Sequence, residues 1–424
     1  MPTDLNIRVF SVCSSDVSGG AARAAYRIHQ GVRSLGVNSS MFVKNKGSKD
    51  DTVQALSEFV PNNPIYHALD WCATKWKNKI QHARWRPYLH TKQDLFLSDL
   101  RGTCLHGALQ KLDYDVLHLH WINNRFLDIR ELSKIYKPIV WTMHDSWPFC
   151  GVCHVPFNCK QYEKHCGRCP ILGSNKDHDL AYDIFKKKAE VYKNIDLHIV
   201  TPSRWLAMCA KKSALFGQFP ITVIPNCIDT EMYKPMNKQD IADLYGLKSD
   251  KKYLLFGAMH ATRDKNKGFD LLIEALHQLK EEDTELIVYG TNEDLSKYKI
   301  PMPVHSLGYI TGDKQMVMIY NVADVMIVPS RSENLSNTIM ESLSCGTPVV
   351  AFNIGGNVDL IEHKKNGYLA NEGDCEDLAN GIEWCLKNTE NNVLGNNARR
   401  KVLDNYTIEI VSKQYKELYR TICK

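Results

Sequence analysis

Several things that this 424-residue chain lacks narrow its class before any motif is read. No apolar run approaches the roughly 20 residues that a membrane-spanning helix needs. Residues Met1-Pro-Thr-Asp-Leu-Asn-Ile-Arg8 carry no apolar signal region and lead directly into a strand-like run, so the expected location is cytoplasmic. There is no fixed-period repeat and no low-complexity tract, which leaves an ordinary folded chain rather than a solenoid or a tail. Recognised nucleic-acid-binding motifs are missing as well, and nucleic acid is not an expected partner.

What is present is length and an uneven charge. A chain this long exceeds one core, and two domains are the natural expectation. The net charge of +5 divides into +11 for residues 1–228 (30 Lys and Arg against 19 Asp and Glu) and −6 for the remainder (23 against 29). A basic first half suits an anionic surface, either phospholipid or a diphosphate acceptor. Within it, Lys75-Trp76-Lys77 through Arg84-Trp85-Arg86 interleaves basic and aromatic residues, as interfacial helices do. The alternative is a solvated helix whose tryptophans tuck into their own domain. Attachment to the inner membrane face is the corresponding extension of the cytoplasmic expectation.

Short apolar runs alternate with helical patterns through both halves. Ile7–Val12, Ser39–Val43, Asp115–His120, Pro138–Thr142, Leu197–Val200 and Ile221–Ile224 read as parallel strands, with a helix over Ala21–Leu35 and residues 50–110 mostly helical or irregular. A second series follows the turn-rich Pro225–Asp229, with strands at Lys252–Phe256, Glu285–Tyr289, Asp324–Val328 and Thr347–Phe352 and a helix over Gly268–Leu279. The alternation predicts an α/β protein of two doubly wound, Rossmann-like domains facing each other across a cleft. Expected bounds are 1–228, with a Cys-rich insertion at 150–170, then 229–405, and a helix over 406–424 that crosses back.

The most informative stretch is Ser330-Arg-Ser-Glu333 to Glu341-Ser-Leu-Ser-Cys-Gly-Thr-Pro348. It lies between two strands, so its loop falls beyond their carboxyl ends, where open α/β sheets bind ligands. A helix starting near Ser336 directs free N–H groups and its positive end into the same region, which suits phosphate. Two carboxylates eight positions apart flank that place and can accept hydrogen bonds from sugar hydroxyls. The bland alternative is a pair of exposed acids at a helix start.

Together with Gly355-Gly356, Asn366-Gly-Tyr-Leu369, Gly19-Gly20, His118-Leu-His120-Trp121 and Trp141-Thr-Met-His144-Asp145, this stretch resembles the family 4 retaining glycosyltransferases of GT-B architecture. The resemblance extends to a subgroup making bacterial exopolysaccharide or O-antigen. It implies a hexosyltransferase whose first domain binds a carbohydrate or lipid-diphosphate-linked acceptor and whose second binds a UDP- or GDP-sugar. Residue by residue, it implies Glu333 on the donor sugar's hydroxyls and Glu341 on the ribose. His144 would contact the sugar near the reacting centre, and Lys267 would neutralise the leaving diphosphate. Gly19 and Gly20, with Ser336, Asn337 and Thr338 at the helix start, would approach the diphosphate. Most members carry Gly-Arg after the first strand of the second domain. Here Gly257-Ala258 stands instead, and Arg263 is the expected substitute. The alternatives are a tight turn for Gly19-Gly20 and a structural histidine bonded to Asp145 for His144, while His120 is expected to be structural or peripheral. Asp113-Tyr-Asp115 resembles a metal-holding Asp-x-Asp but precedes its strand, and no catalytic metal is expected.

Five of the 14 cysteines fall between 150 and 169. Cys153, Cys159, Cys166 and Cys169 form a candidate structural zinc set, with Cys150 or His154 able to replace one of them. A set of free thiols is the alternative. Rival functions are a nucleotide-sugar epimerase of the same architecture and a silent module that binds polysaccharide or membrane.

Overall fold

The computed structural model describes residues 7–423 apart from 60–78, 80–82, 89–108, 110–111, 124–125, 249, 282 and 389–391. The chain divides into two compact units, Met1–Ile224 with Ser412–Lys424, and Pro225–Val411. The expected boundaries lie at 228 and 405. Most of the Lys75–Arg86 stretch falls outside the described residues, but Trp85 at its end is buried in the first unit's core. Among the described residues, no helix is long and apolar enough to cross a membrane.

The first unit is built on a seven-stranded parallel sheet. Its strands are β1 (Arg8–Ser15), β2 (Asn38–Asn45), β3 (Val53–Ala55), β4 (Val116–Leu119), β5 (Ile139–Thr142), β6 (Leu197–Thr201) and β7 (Ile221–Val223), in the order β3-β2-β1-β4-β5-β6-β7. Every position of β4 and β5 is buried. That is why these segments read as continuous apolar runs: a parallel sheet carries helices on both faces. The chain builds outward from β1 on one side and then returns to add β4 on the other. This reversal places the carboxyl ends of β1, β4 and β5 side by side, at the kind of switch point where such sheets bind ligands. Gly19, at φ +91°, makes the turn out of β1, and its carbonyl accepts the first intrahelical bond, from Arg23 N–H at 3.1 Å.

The second unit repeats the plan with six parallel strands: β8 (Lys252–Gly257), β9 (Thr284–Tyr289), β10 (Val304–Ser306), β11 (Val325–Val328), β12 (Val349–Phe352) and β13 (Gly367–Ala370), ordered β10-β9-β8-β11-β12-β13. Alternate residues feed two cores on opposite faces. Tyr253, Leu255, Met326 and Val328 enter one, and Leu254, Phe256, Val325 and Ile327 the other. The reversal next to β8 sets the end of β11 beside the loop after β8.

Three strands are absent from the sequence reading. β3, β10 and β13 are three or four residues long and lie on sheet edges. Val53-Gln-Ala, Val304-His-Ser and Gly367-Tyr-Leu-Ala are too short to show a period.

One glycine is fixed by sterics that bear on the site. Gly268, at φ +70°, backs onto the end of β11, and a Cβ there would lie 1.9 Å from the Pro329 carbonyl oxygen. Gly246 also has positive φ, +64°, but faces open space. Gly268→Ala is therefore expected to lower the unfolding free energy by about 3 kcal/mol or more, and Gly246→Ala by about 1 kcal/mol. Urea titrations compare them, and equal midpoints would refute the packing argument.

Candidate functional site

In the second unit, β11 runs into Pro329-Ser330 and then the loop carrying Glu333. Glu333 Oε1 lies 2.6 Å from Lys267 Nζ and accepts from Ser330 Oγ at 3.0 Å. Lys267 ends a short 3₁₀ turn, Lys265–Lys267, capped by Asp264. That turn is tied to the Glu333 loop by backbone and side chain. Arg331 N–H donates to the Asn266 carbonyl at 2.8 Å, and Asn266 Nδ2 donates to the Ser332 carbonyl at 2.9 Å. The Arg331 guanidinium spans both Asp270 oxygens at 2.9 and 2.6 Å. Burial works against the Lys267 ammonium, but Glu333 outweighs it and the pKa is raised.

The loop then enters the helix Asn337–Ser344. Ser336 caps it, accepting from Ile339 N–H and lying 2.8 Å from Thr338 Oγ1. Asn337 accepts from Asn226 Nδ2 at 3.2 Å, and the Asn226 Oδ1 is buried without a hydrogen-bond partner among the described residues. Glu341, one turn in, is only 3% exposed and accepts from Tyr320 OH at 3.1 Å. Arg263 stands apart from this group in its contacts. Its side chain is 74% exposed and pairs with Glu293 at 2.7 Å.

In the first unit, His144 follows β5. Its Nε2 lies 3.2 Å from His120 Nδ1. The neighbouring Asp145 carboxylate accepts from Trp121 Nε1 at 2.8 Å and Trp147 N–H at 2.9 Å and pairs with His154. Burial opposes the Asp145 charge, but these partners hold its pKa below the usual carboxylate value.

The structure thus brings together Lys267 with Glu333, and Ser336, Asn337 and Thr338 at one helix end with Glu341 behind them. Residues 18–232 match the family description "Glycosyltransferase Family 4", and residues 250–388 match "Glycosyl transferases group 1". The chain belongs to glycosyltransferase family 4.

This glycosyltransferase is 24% identical over 363 residues to WcaC of Escherichia coli K12, provisionally named a colanic acid biosynthesis glycosyl transferase. That match takes in 82% of this chain and 83% of WcaC. It is 25% identical over 207 residues, 47% of this chain, to an E. coli UDP-Gal:alpha-D-GlcNAc-diphosphoundecaprenol alpha-1,3-galactosyltransferase. The match spans about half the length of several relatives: 54% of that galactosyltransferase and 46% of a Methanocaldococcus jannaschii glycosyltransferase. Among solved structures, Anabaena HepE in complex with UDP-glucose shares the fold, with a TM-score of 0.66 at 18% identity over 98% of this chain and 100% of that one. The GT-B fold, with its two Rossmann-like parallel sheets, is therefore the architecture of this enzyme.

Sequence reasoning did not single out Tyr320, Asn226, Asn266 or Ser330. Each lies far from Glu341 or Lys267 in sequence, or carries no spacing signal, and only the fold brings it in. The expected zinc cysteines share one neighbourhood: burial first, and then the nearby Cys153, push up the thiols of Cys159, Cys166 and Cys169. Among the described residues, no three His, Cys, Asp or Glu side chains are grouped so as to hold a metal ion. Cys166 Sγ accepts from Gly151 N–H at 3.1 Å, and the Cys169 backbone N–H donates to Asp179 at 2.8 Å. An open pocket bordered by Phe157, Lys160, Lys164 and Arg168 belongs to this same Cys-rich segment and contains none of the expected donor-site residues.

Burial keeps three histidines of the first unit neutral, with His118 lowered to about 3 and His29 and His144 each to about 4. Below about pH 6.5 the unfolded chain takes up protons that the folded rings refuse. The stability they confer is complete above that pH and is lost as pH falls toward about 4. The expected slope is about 1.4 kcal/mol per pH unit for each ring. Urea midpoints measured across that window check it, and a midpoint that does not move would refute it. His29→Gln, which can keep the bonds to Ser39 and Thr52, is expected to flatten the slope by one ring's share.

Proposed function

We propose that this family 4 glycosyltransferase is a retaining hexosyltransferase acting in assembly of a surface polysaccharide. It moves a sugar from a UDP- or GDP-sugar to a carbohydrate or lipid-diphosphate-linked acceptor. The observation that carries the reading is the Lys267–Glu333 pair, 2.6 Å apart, with Glu333 on the loop that leads into the helix start at Asn337. A cation paired with a hydroxyl-accepting carboxylate, and a helix N-terminus a few residues beyond that carboxylate, suit a diphosphate joined to a sugar. The E. coli relatives support the pathway and the acceptor class, and the solved HepE complex supports a nucleoside diphosphate donor.

In this reading, Lys267 and the N–H groups around Asn337 hold the diphosphate, with Gly19 and Gly20 leaving room for it in the first unit. Glu333 accepts from the sugar's hydroxyls and Glu341 from the ribose, while His144 meets the sugar near the reacting carbon. The acceptor oxygen bonds to the anomeric carbon as the bond from that carbon to the diphosphate oxygen breaks. The electron pair leaves with the diphosphate, which takes the acceptor's proton. No enzyme nucleophile is needed. Lys267 acts where charge grows on the leaving group, the place at which a fixed cation lowers a barrier most. Arg263 joins the diphosphate only by leaving Glu293.

Lys267→Ala and Glu333→Gln are each expected to lower kcat for transfer by about 100-fold or more. Assays across UDP- and GDP-sugars, with the product anomer read by NMR, check this. Wild-type turnover in both variants would overturn the site assignment. An inverted product would overturn the retaining assignment, and conversion of the donor alone to an epimer would overturn transfer.

A further inference from the structure

Three histidines form a column behind the end of β5. His118 lies in β4, His120 directly follows it, and His144 comes just after β5, its neighbour in the sheet. His118 Nδ1 lies 2.7 Å from Tyr419 OH, and its Nε2 lies 2.8 Å from Thr142 Oγ1. Thr142 in turn meets Tyr415 OH at 3.0 Å. Both tyrosines belong to the C-terminal helix Ile408–Ile422. The His118 and His120 rings are 4.1 Å apart, and His120 stacks on His144 at 5.4 Å with 26° between the planes. His120 itself is 2% exposed, and its Nε2 has no hydrogen-bond partner among the described residues.

The backbone holds His120 in place. Its N–H donates to Val12 at 2.9 Å, and its carbonyl accepts from Trp141 Nε1 at 3.0 Å. Between two neutral imidazoles, one proton serves the 3.2 Å contact of His120 Nδ1 with His144 Nε2. If His144 donates it, His120 must carry its own proton on Nε2, a buried N–H with no acceptor. If His120 donates it, the atom left over is a lone pair. Orphaned buried N–H groups are the rarer of the two, so the second arrangement is favoured. It puts the proton of His144 on Nδ1.

We propose that His120 is a positioning residue for this glycosyltransferase: its Nδ1–H, held in a column braced on Thr142, Tyr415 and Tyr419, fixes His144 in one orientation and in the Nδ1–H tautomer. In that form His144 can donate to a hydroxyl oxygen of the donor sugar. The inference rests on the reading of His144 as a sugar-contacting residue.

Three variants and one spectrum test it. His120→Asn keeps an N–H donor near the Nδ1 position, His120→Leu removes it, and His144→Ala removes the ring being held. NMR of protein carrying 15N-labelled histidine reads which His144 nitrogen bears the proton, independently of turnover. A proton on Nδ1 is expected in the wild type and in His120→Asn, with mixed tautomers in His120→Leu. Transfer kcat is expected to fall roughly tenfold in His120→Leu, with a smaller change in KM, and to recover in His120→Asn. A wild-type spectrum with His144 protonated on Nε2 overturns the inference, even where a variant fails to fold. So does wild-type kcat in His120→Leu when His144→Ala is inactive. Full turnover in His144→Ala overturns the reading of His144, and the catalytic part of the inference with it.

Discussion

The contact between Lys267 and Glu333 organises the second unit's site. The two side chains are 26% and 13% exposed, so both charges are largely withdrawn from water. Such a pair is a poor source of stability, because desolvation offsets much of the attraction. Its geometry is nevertheless over-determined. Gly268 lets the lysine's turn close against Pro329, and Gly355 packs so tightly on Glu333 that a Cβ would sit 1.9 Å from its carbonyl oxygen. Gly356 N–H donates to that same oxygen at 3.1 Å, and Arg331 joins Asp270 to the Lys265 carbonyl. This much backbone constraint around a pair that stabilises little is understood if the pair is kept for what it binds.

In the proposed reaction, binding the donor becomes an exchange rather than an addition. A diphosphate brings the negative charge that Glu333 supplies in the unliganded site, and the sugar's hydroxyls bring the donors that Lys267 and Ser330 supply to Glu333. Each charged group trades one partner for another, so little desolvation remains to be met on binding. A lysine already held in its charged form by the carboxylate is also ready to meet a leaving group that gains charge. The deeper Glu341 follows a different logic. Held by Tyr320 in a nearly closed environment, it is a fixed acceptor and not an exchangeable one.

Much of this was legible in the sequence because parallel strands and their βα loops are local. Strand, glycine turn and helix are adjacent in Val9–Ser34, and strand, Glu333 and capped helix are adjacent in Val325–Ser344, so both the fold class and the ligand edge can be read from short windows. The unread parts are of two kinds. Short edge strands such as β3 and β10 leave no period to detect. Contacts such as Tyr320 to Glu341, Asn226 to Asn337 and the column from Tyr419 to His144 are set by which elements the fold makes neighbours. His120 shows the difference well. Its position at a strand end was visible, but its use depends on β5 lying beside β4 and on a helix nearly 300 residues later in the chain.

The Cys-rich segment also has a support that its composition does not reveal. Five cysteines in one loop suggest a structural zinc ion or a set of free thiols, and the fold adds a tie of another kind. That tie is Lys188, on the helix Leu180–Tyr192. Its ammonium is fully buried and donates to the carbonyls of Trp147, Cys150 and Gly151, the last two at 2.8 and 3.2 Å, while lying 3.6 Å from the centre of the Trp147 ring. Burial lowers its pKa to about 7, with neighbouring groups opposing the shift. Three carbonyl dipoles and an aromatic face thus replace the water that the charge has lost. Tyr192 OH adds a bond to the Pro148 carbonyl at 2.9 Å, and Asp179, the helix cap, takes the Cys169 N–H. One helix therefore closes the loop from beneath and fixes the segment that begins at Asp145, directly beside His144. A lysine inside a run of lysines, Lys186-Lys187-Lys188, reads as a solvated face in the sequence. Only the third is swallowed by the core, because the helix period turns it, and not its neighbours, toward the loop.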